Sequence, residues 1–476
     1  MLKRATLALG VALTVGMAYA APERATTLKD QQEVAVTIYN KNLALVKDTR
    51  KVKLISGEGR LAWRDVSAHI RPETALLRNL THAKGFYLIE QNFDFDLLTP
   101  QKLLEKYIGQ TVTVIRTHPT TGVDSREEAT VLATNGGAVL KFADRIETGI
   151  PGRLAFKSVP ENLRDRPTLV ISLNAAQNAD DTLELSYLTG GLAWKADYVA
   201  ELSKNDDKLD LNGWVTLTNT SGTAYQNARL QLVVGDVNRV NDAMIGALQE
   251  SRVQKSMAMA APKMAEESLF EYHLYTLDRL TTIAENQTKQ VALLSASSVP
   301  TTKEFLLRGA DYYYRSSYGD IGQKIKVGVF VEFDNKGGSL GIPLPKGVVR
   351  VYKKDNAGNA QFVGEDHIDH TPKNEKVRLK LGDAFDVTAD KKQTSFEKIG
   401  STGRYNTIFD AAFEIVLKNA KDEPVTVKLM EPIPGDWQML SASAPHQKEA
   451  SNTAVWNVTV PANGKTTLAY KVRVRY

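Results

Sequence analysis

The densest group of side chains that could bind a metal ion is the run Glu-Asp-His-Ile-Asp-His at 365–370. If this run is a β-strand, Glu365, His367 and Asp369 share one face, and two carboxylates with an imidazole suit a divalent ion. Same-face neighbours on a strand lie about 7 Å apart, which is too far for three ligands of one ion unless the strand bulges. The alternative is a solvated strand end before the Thr371-Pro372 turn.

Aromatic side chains give a second candidate site. Tyr312, Tyr314 and Tyr318 belong to one tyrosine-rich stretch, and Trp194 and Trp214 lie on earlier strands. Flat rings with polar edges stack on the apolar faces of hexoses, so these residues predict a glycan-binding platform, with Tyr312, Tyr314 and Trp194 as candidate ligand-binding residues. Because aromatic residues also favour strands, packing between sheets is the alternative.

A serine motif and the possibility of acid–base catalysis complete the chemical candidates. Residues 337–341 match the spacing G-x-S-x-G of a nucleophile elbow, but the required helix cannot begin in Ile342-Pro343-Leu344-Pro345. A glycine-rich connection is therefore the prediction, and catalytic residues stay unknown. A pair of catalytic carboxylates leaves no sequence signature, so a hydrolase of envelope glycans or peptides stays open as an alternative.

The elements that position these residues are predicted to be β-strands. Apolar residues alternate with polar ones in segments such as 34–39, 194–202 and 412–418, and turns rich in Asn and Gly separate the segments. The sequence predicts a mainly β fold with several β-sandwich or immunoglobulin-like modules, a small inserted β-barrel and few short helices. No internal repeat is evident. The last strand alternates up to Tyr476, which leaves an outer-membrane barrel as a lesser alternative.

Two segments depart from the strand pattern. Thr99-Pro100 followed by Leu103, Leu104 and then Gly109 predicts one short helix with a cap, a proline in the first turn and a glycine stop. The stretch 241–268 is rich in Ala, Met, Gln, Ser, Lys and Glu, and it predicts a mobile insertion or a frayed helix within a β domain.

The composition excludes several classes of protein. The chain has 476 residues and no cysteine, so disulfides, thiolate metal sites and an acylated amino-terminal cysteine are excluded. The net charge is only +5 and no Lys/Arg run exceeds two residues, so nucleic acid is not an expected partner. No cofactor is expected.

The amino terminus predicts export. Lys3 and Arg4 precede an apolar run from Ala5 to Met17, and Ala18-Tyr19-Ala20 places small residues at the two positions that a signal peptidase reads. The run is shorter than the roughly 20 residues that span a bilayer, and no second span follows, so no transmembrane segment is expected after cleavage. The predicted location is the periplasm of a bacterium, with the cell surface or the medium as alternatives.

The length and the turn clusters predict several domains, since about 100–200 residues form one domain. The predicted organisation is a signal peptide at 1–20, an N-terminal β domain at 21–109, a small β-barrel-like insertion at 110–165, a central β-sandwich region at 166–395 and a C-terminal immunoglobulin-like module at 396–476.

Several segments together resemble a bacterial family called domain of unknown function 4139, over roughly residues 180–476 and more loosely before them. The segments that carry the resemblance are Thr37-Ile-Tyr-Asn40, Ala44-Leu-Val46, Leu188-Thr-Gly-Gly-Leu-Ala-Trp194, Asp197-Tyr198, Leu232-Val-Val-Gly-Asp236, Phe270-Glu-Tyr-His-Leu-Tyr275, Gln287-Thr-Lys-Gln290, Pro343-Leu-Pro345, Val349-Arg-Val-Tyr352, Gly364-Glu-Asp366 and Gly382-Asp-Ala-Phe-Asp386. The resemblance implies a β-rich exported or envelope protein, and it implies no catalytic residue.

These observations lead to one functional expectation. The chain is expected to be an exported, non-enzymatic β-sandwich protein that binds or organises cell-envelope components, with an envelope protein or glycan as partner. The sequence does not indicate an oligomeric state.

Overall fold

The computed structural model describes residues 23–39, 42–160, 163–235, 264–269, 272–337 and 340–476. The signal peptide expected at 1–20 lies outside the described residues. Most of the insertion expected at 241–268 also lies outside them, and its last residues belong to a β-strand, Met264–Leu269.

Within the described residues the chain forms thirty β-strands, one α-helix and two 3-10 turns, which confirms the mainly β fold. The helix α1 is Pro100–Lys106, and the 3-10 turns are Pro72–Thr74 and Asp311–Tyr314. The strands, in chain order, are β1 (Glu23–Thr26), β2 (Gln31–Tyr39), β3 (Leu43–Leu54), β4 (Gly57–Arg64), β5 (Leu76–Asn79), β6 (Phe86–Asp94), β7 (Thr111–Thr117), β8 (Asp124–Ala133), β9 (Val139–Lys141), β10 (Ile146–Thr148), β11 (Arg153–Ala155), β12 (Thr168–Ala175), β13 (Ala179–Thr189), β14 (Leu192–Leu202), β15 (Lys208–Asn219), β16 (Tyr225–Val234), β17 (Met264–Leu269), β18 (Tyr272–Leu277), β19 (Thr281–Ile283), β20 (Gln287–Arg308), β21 (Asp320–Asp334), β22 (Gly347–Lys354), β23 (Ala360–Ile368), β24 (Lys376–Thr402), β25 (Tyr405–Asn419), β26 (Val425–Pro432), β27 (Asp436–Ala442), β28 (Gln447–Ala450), β29 (Thr453–Val460) and β30 (Gly464–Arg475).

The first hydrophobic core lies between two sheets. One sheet has the order β17-β18-β16-β2-β3-β13-β5, and the other is the β23-β22-β14-β15-β20 end of a thirteen-stranded sheet. Alternation places the side chains: in β14, Trp194, Ala196 and Tyr198 are buried in this core, whereas Lys195 and Val199 point to solvent. The two sheets therefore form a β-sandwich.

The second core lies in the carboxyl-terminal half of the chain. One layer is β21-β24-β25-β30-β27, and in the facing layer β26 pairs with the end of β20 on one side and with β29 on the other. Aromatic rings fill the space between the layers: the ring centres of Trp456 and Tyr470 are 5.0 Å apart, and those of Tyr470 and Phe413 are 5.2 Å apart. This is a second sandwich.

Three long strands belong to both sandwiches. Each of β20, β21 and β24 buries one set of side chains in the first core and another in the second. The buried pairs, first core then second, are Val291 and Leu307 in β20, Phe333 and Val327 in β21, and Leu379 and Ala389 in β24. The boundary expected between residues 395 and 396 falls inside β24.

A third, smaller core lies under the sheet β10-β9-β8-β7-β11. Helix α1 packs Leu104 into it, and the Thr99 side chain caps the helix by accepting a hydrogen bond from the Lys102 backbone at 3.1 Å, as predicted. In the described part of the chain β10 and β11 end this sheet and do not pair with each other. The small β-barrel-like insertion expected at 110–165 is therefore an open five-stranded sheet, and its last two strands are three residues long.

A structural repeat that the sequence analysis missed connects the long strands. Three buried asparagines, Asn219, Asn335 and Asn419, come at or directly after the end of β15, β21 and β25. After each asparagine the chain leaves the long sheet, and it returns as the antiparallel neighbour of the strand it left, in the pairs β15·β20, β21·β24 and β25·β30. We call each of these positions an asparagine corner.

The three corners make the same hydrogen bonds. Each side-chain amide donates to two consecutive carbonyls just before the returning strand, namely those of residues 283–284, 371–372 and 460–461. Two residues after each carbonyl pair stands an asparagine with positive φ, Asn286, Asn374 or Asn463. The same structural unit thus occurs three times in the sandwiches. In each unit one asparagine side chain connects the end of a strand to the segment just before its antiparallel neighbour.

Candidate functional site

The most exposed cluster of aromatic rings in the second sandwich consists of Tyr312, Tyr313 and Tyr318, which we call the tyrosine patch. The ring centre of Tyr312 lies 4.6 Å from that of Tyr313 and 5.8 Å from that of Tyr318. Tyr312 is 49% exposed and Tyr318 is 42% exposed. Two large rings thus face solvent side by side. On most protein surfaces exposed apolar side chains occur singly, so this pair is unusual.

Backbone bonds hold the patch in place. The tyrosines lie on the 3-10 turn and the loop that connect β20 to β21. Gln393, an inward-facing residue of β24, donates its side-chain amide to the carbonyls of Tyr313 and Ser316, both at 3.1 Å, and accepts from the Tyr318 backbone at 2.8 Å. One buried side chain therefore fixes both ends of the loop that carries the exposed rings.

A buried ion pair lies beneath the patch. The Tyr314 hydroxyl donates to Oε2 of Glu431 at 2.9 Å and lies 2.8 Å from the Tyr470 hydroxyl. Lys391 Nζ binds both oxygens of the same carboxylate, at 2.6 and 2.7 Å, and the two charged side chains are only 3% and 1% exposed. A side chain at Gly309 would displace the Glu431 carboxylate, because its Cβ would lie 2.1 Å from Oε2 of Glu431.

Burial and nearby aromatic rings determine the charge states beneath the tyrosine patch. Burial raises the pKa of both Tyr314 and Tyr470 well above the usual value, so both hydroxyls stay protonated. Burial also raises the pKa of Tyr313 to about 12, with a smaller contribution from Tyr312. Lys391 Nζ lies 4.6 Å from the Tyr313 ring centre and 5.3 Å from that of Phe413, where the negative ring faces attract it.

A cation borders the patch on its outer side. Arg315 binds Asp311 at 2.7 Å across one turn. It also lies beside Tyr476, where burial raises the pKa of the tyrosine and the guanidinium opposes that shift. The patch thus offers two exposed rings, tyrosine hydroxyls and one guanidinium that is paired with Asp311. These groups suit stacking and hydrogen bonding, and the Lys391–Glu431 pair lies beneath the rings.

The structure separates the three residues predicted as a platform. Tyr312 is exposed, but Tyr314 is 0% exposed and Trp194 is 6% exposed, so neither presents a ring to a ligand. In a 3-10 turn, residues two apart point in different directions, which takes Tyr314 inward. Trp194 shares the inward face of β14. Trp214, on the outward face of β15, is 40% exposed.

The predicted metal ligands do not converge on one ion. Glu365 and His367 lie on β23, while Asp369 follows the strand, and Arg350 holds the Glu365 carboxylate at 3.3 Å. In the ranges that the structure describes, no three His, Cys, Asp or Glu residues are close enough to hold a metal ion. Ser339 of the G-x-S-x-G spacing lies outside the described residues.

A shallow groove of about 720 Å³ lies on the small sheet, away from both sandwiches. It is lined by Arg116, Thr117, His118, Pro119, Thr121, Val123, Ser125 and Pro151. No carboxylate lines this groove, so it does not favour the paired-carboxylate hydrolase.

The residues that build the base of the patch were missed by sequence reasoning, although a signal existed. Lys391 and Gln393 continue the buried positions of Val387 and Ala389 along β24, and Glu431 continues those of Val427 and Leu429 along β26. When a charged residue occupies a position of a strand where the side chains are buried, it needs a partner within the core. The sequence alone does not show that the two strands face each other.

Among the described residues no helix has the length and apolar character needed to cross a bilayer.

Comparison with other proteins places the chain in a family. A search of curated proteins gave no match. The profile of the family described as domain of unknown function (DUF4139) matches residues 183–476, which is more than half of the chain and contains the second sandwich, the tyrosine patch and all three asparagine corners. The chain belongs to the DUF4139 family.

Proposed function

We propose that this protein is exported and binds cell-envelope components without catalysis, and that the tyrosine patch is its contact surface. The basic and apolar start of the sequence supports export to the periplasm. A glycan is the proposed ligand class, because the rings of Tyr312 and Tyr318 offer apolar faces next to hydroxyl groups and Arg315.

One observation carries the proposal. Tyr312 and Tyr318 keep 49% and 42% of their surface exposed although their loop is hydrogen-bonded to Gln393. Gln393 orders that loop before any ligand arrives, so a ligand meets rings that are already positioned. Pre-ordered aromatic anchors are typical of binding surfaces, since little conformational entropy is lost on association.

The ionisable groups near the patch support binding rather than turnover. Lys391 and Glu431 neutralise each other below the rings, and Arg315 pairs with Asp311 at the rim. A general acid or base must reach the substrate within hydrogen-bond distance. Here the Lys391–Glu431 pair is covered by Tyr313 and Tyr314, and the carboxylate at the rim, Asp311, is held by Arg315 at 2.7 Å.

The test uses the exported protein and purified peptidoglycan sacculi in a sedimentation assay. Wild-type protein is expected to sediment with the sacculi, and Tyr312→Ala/Tyr318→Ala is expected to bind at least about fivefold more weakly, since each stacked ring contributes about 0.5–1.5 kcal/mol. Tyr87→Ala is the matched control, because Tyr87 is 61% exposed on β6, which pairs with β12 outside the second sandwich. Cell fractionation and amino-terminal sequencing check export, with Ala21 as the expected first residue.

Three results would contradict the proposal. These are wild-type protein that stays in the supernatant, equal binding by the double variant and the wild type, and release of soluble glycan or peptide from the sacculi.

A further inference from the structure

A second exposed aromatic ring lies on the outward face of the first sandwich. Trp214, in the middle of β15, is 40% exposed, and its register neighbours are Asp197 on β14 and Ala292 on β20. The face continues across β22 and β23. With strands about 4.8 Å apart, these five strands make a surface roughly 19 Å wide. We call it the Trp214 face.

A mesh of hydrogen bonds surrounds the ring on one side. The Asp197 carboxylate accepts from the Thr216 hydroxyl at 2.9 Å and from Arg350 at 3.1 Å. Gln290 donates to the Thr216 hydroxyl at 3.1 Å, and Arg350 also binds Glu365 at 3.3 Å. The polar groups are therefore held in fixed positions around Trp214 rather than moving freely in solvent.

On the other side of the ring, Ser295 donates to the Asn212 side chain at 2.8 Å. The Asn212 amide nitrogen thus remains as a donor on the same face of β15, about 7 Å along the strand from Trp214. Donors and acceptors consequently border Trp214 on both sides.

The charges of the Trp214 face cancel. Lys195 and Arg350 pair with Asp197, Arg350 also binds Glu365, and Lys354 binds Glu201 farther along the face. Burial raises the pKa of Asp197, but hydrogen bonds from Thr216 and Arg350 outweigh it and leave the pKa below the usual value. The face is therefore polar and neutral, which disfavours a polyanion or a polycation as the ligand.

The strands under Trp214 also exclude one common mode of peptide binding. Both edges of β14 and of β15 are already paired, β14 with β22 and β15, and β15 with β14 and β20. An extended peptide cannot add a strand at Trp214, because neither β14 nor β15 has an open edge and the sheet ends only at β23. Recognition at Trp214 must therefore come from side chains.

We propose that the Trp214 face binds a neutral oligosaccharide, with a pyranose ring stacked on the indole and its hydroxyls bonded to Asn212 and Gln290, which the surrounding hydrogen bonds hold in place. A pyranose combines an apolar C–H face with a rim of donors and acceptors, and the Trp214 face has the matching arrangement. This site goes beyond the tyrosine patch, since it lies on the other sandwich and uses different residues.

Tryptophan fluorescence tests the site selectively. The chain has five tryptophans, and the other four, Trp63, Trp194, Trp437 and Trp456, are between 0% and 8% exposed. Acrylamide therefore quenches mainly Trp214. Chitotetraose and cellotetraose are the probes. We expect saturating oligosaccharide to reduce the quenching constant at least twofold and calorimetry to detect binding, with both signals lost in Trp214→Ala and weakened in Trp214→Phe.

The controls separate this site from the proposed function. Trp437→Phe is expected to keep the protection, and so is Tyr312→Ala/Tyr318→Ala, because neither variant touches the Trp214 face. Circular dichroism checks that Trp214→Ala is folded, which is expected since the side chain points away from the core. Unchanged quenching and silent calorimetry at millimolar oligosaccharide would overturn the inference. Protection by heparin or by a proline-rich peptide, but not by the neutral oligosaccharides, would overturn it as well.

Discussion

The ion pair between Lys391 and Glu431 is the residue-scale feature on which the tyrosine patch rests. Moving a charged group out of water costs several kcal/mol per ion, so the pair is tolerated only because its partners are complete. Glu431 receives the Lys391 ammonium and the Tyr314 hydroxyl, and the ring of Tyr313 faces the ammonium. The pair thereby connects β24 to β26, which lie in opposite layers of the second sandwich.

Removal of one partner is expected to be far more damaging than removal of both. Lys391→Met leaves the Glu431 carboxylate buried and unpaired, so the free energy of unfolding in urea should fall by about 3–5 kcal/mol. The double variant Lys391→Met/Glu431→Leu should recover most of this loss, because no unpaired charge remains. Lys392→Met is the matched control, since Lys392 is 54% exposed and binds Glu414 at the surface.

The control variant is expected to change stability by less than about 1 kcal/mol. If Lys391→Met were no more destabilising than Lys392→Met, the description of a buried pair would be wrong. A double variant less stable than Lys391→Met would show that the pair contributes through packing instead of charge.

Sequence reasoning reached the tyrosine patch only in part, and the reason is local geometry. The tyrosine-rich stretch drew attention to Tyr312 and Tyr314 together, but the 3-10 turn exposes the first and buries the second. The burial of Trp194 was predictable, because it shares the phase of Leu192, Ala196 and Tyr198 in β14. The role of Lys391 was not, since its partner is 40 residues away.

At the scale of elements, the asparagine corners explain how one short pattern builds a large sheet. Leu217-Thr-Asn219, Phe333-Asp-Asn335 and Leu417-Lys-Asn419 each put an apolar residue and then the corner asparagine at the end of a strand. The strands were predictable from their alternation. The repeat was not, because excursions of different length separate the departure from the return, and only the side-chain amide connects them.

The side-chain amide of Asn419 is expected to contribute measurably to the free energy of unfolding. Asn419→Ala removes the donor to three carbonyls, of Glu423, Val460 and Pro461, so unfolding in urea should show a loss of about 1–3 kcal/mol. Asn419→Asp should lose at least as much at neutral pH, because a carboxylate has no proton for these carbonyls.

Asn457→Ala, on the exposed face of β29, is the control and should change stability by less than about 0.5 kcal/mol. The Asn419→Asp loss should shrink as the pH falls through the pKa of the new carboxyl, since the protonated acid can donate one bond. A loss that does not depend on pH would assign the effect to shape and not to the missing donor.

At the scale of the whole molecule, the two sandwiches share β20, β21 and β24 and cannot be separated by cutting the chain once. Domain prediction from sequence looks for a linker, and the boundary placed at residue 395 instead falls in the 27-residue strand β24. The sequence does not mark such a border, because a strand that serves two cores has no break in composition.

The shared strands predict that both sandwiches unfold in one transition. Trp63, Trp194 and Trp214 report on the first sandwich, and Trp437 and Trp456 report on the second. Variants with either group changed to Phe should give coincident urea transitions. Phe413→Ala, which empties part of the second core, should lower both midpoints together, with a loss of about 3–5 kcal/mol. Two separate midpoints would show that the cores are independent.

The strand β20 also determines how far apart the two proposed binding surfaces lie. Ala292, next to Trp214, and Arg308, which leads into the tyrosine patch, belong to this one strand. At about 3.3 Å per residue, the sixteen steps between them span at most roughly 50 Å. The strand β20 thus sets the distance between the Trp214 face and the tyrosine patch. A single polymer that bound to both surfaces would have to place two of its binding units at that distance.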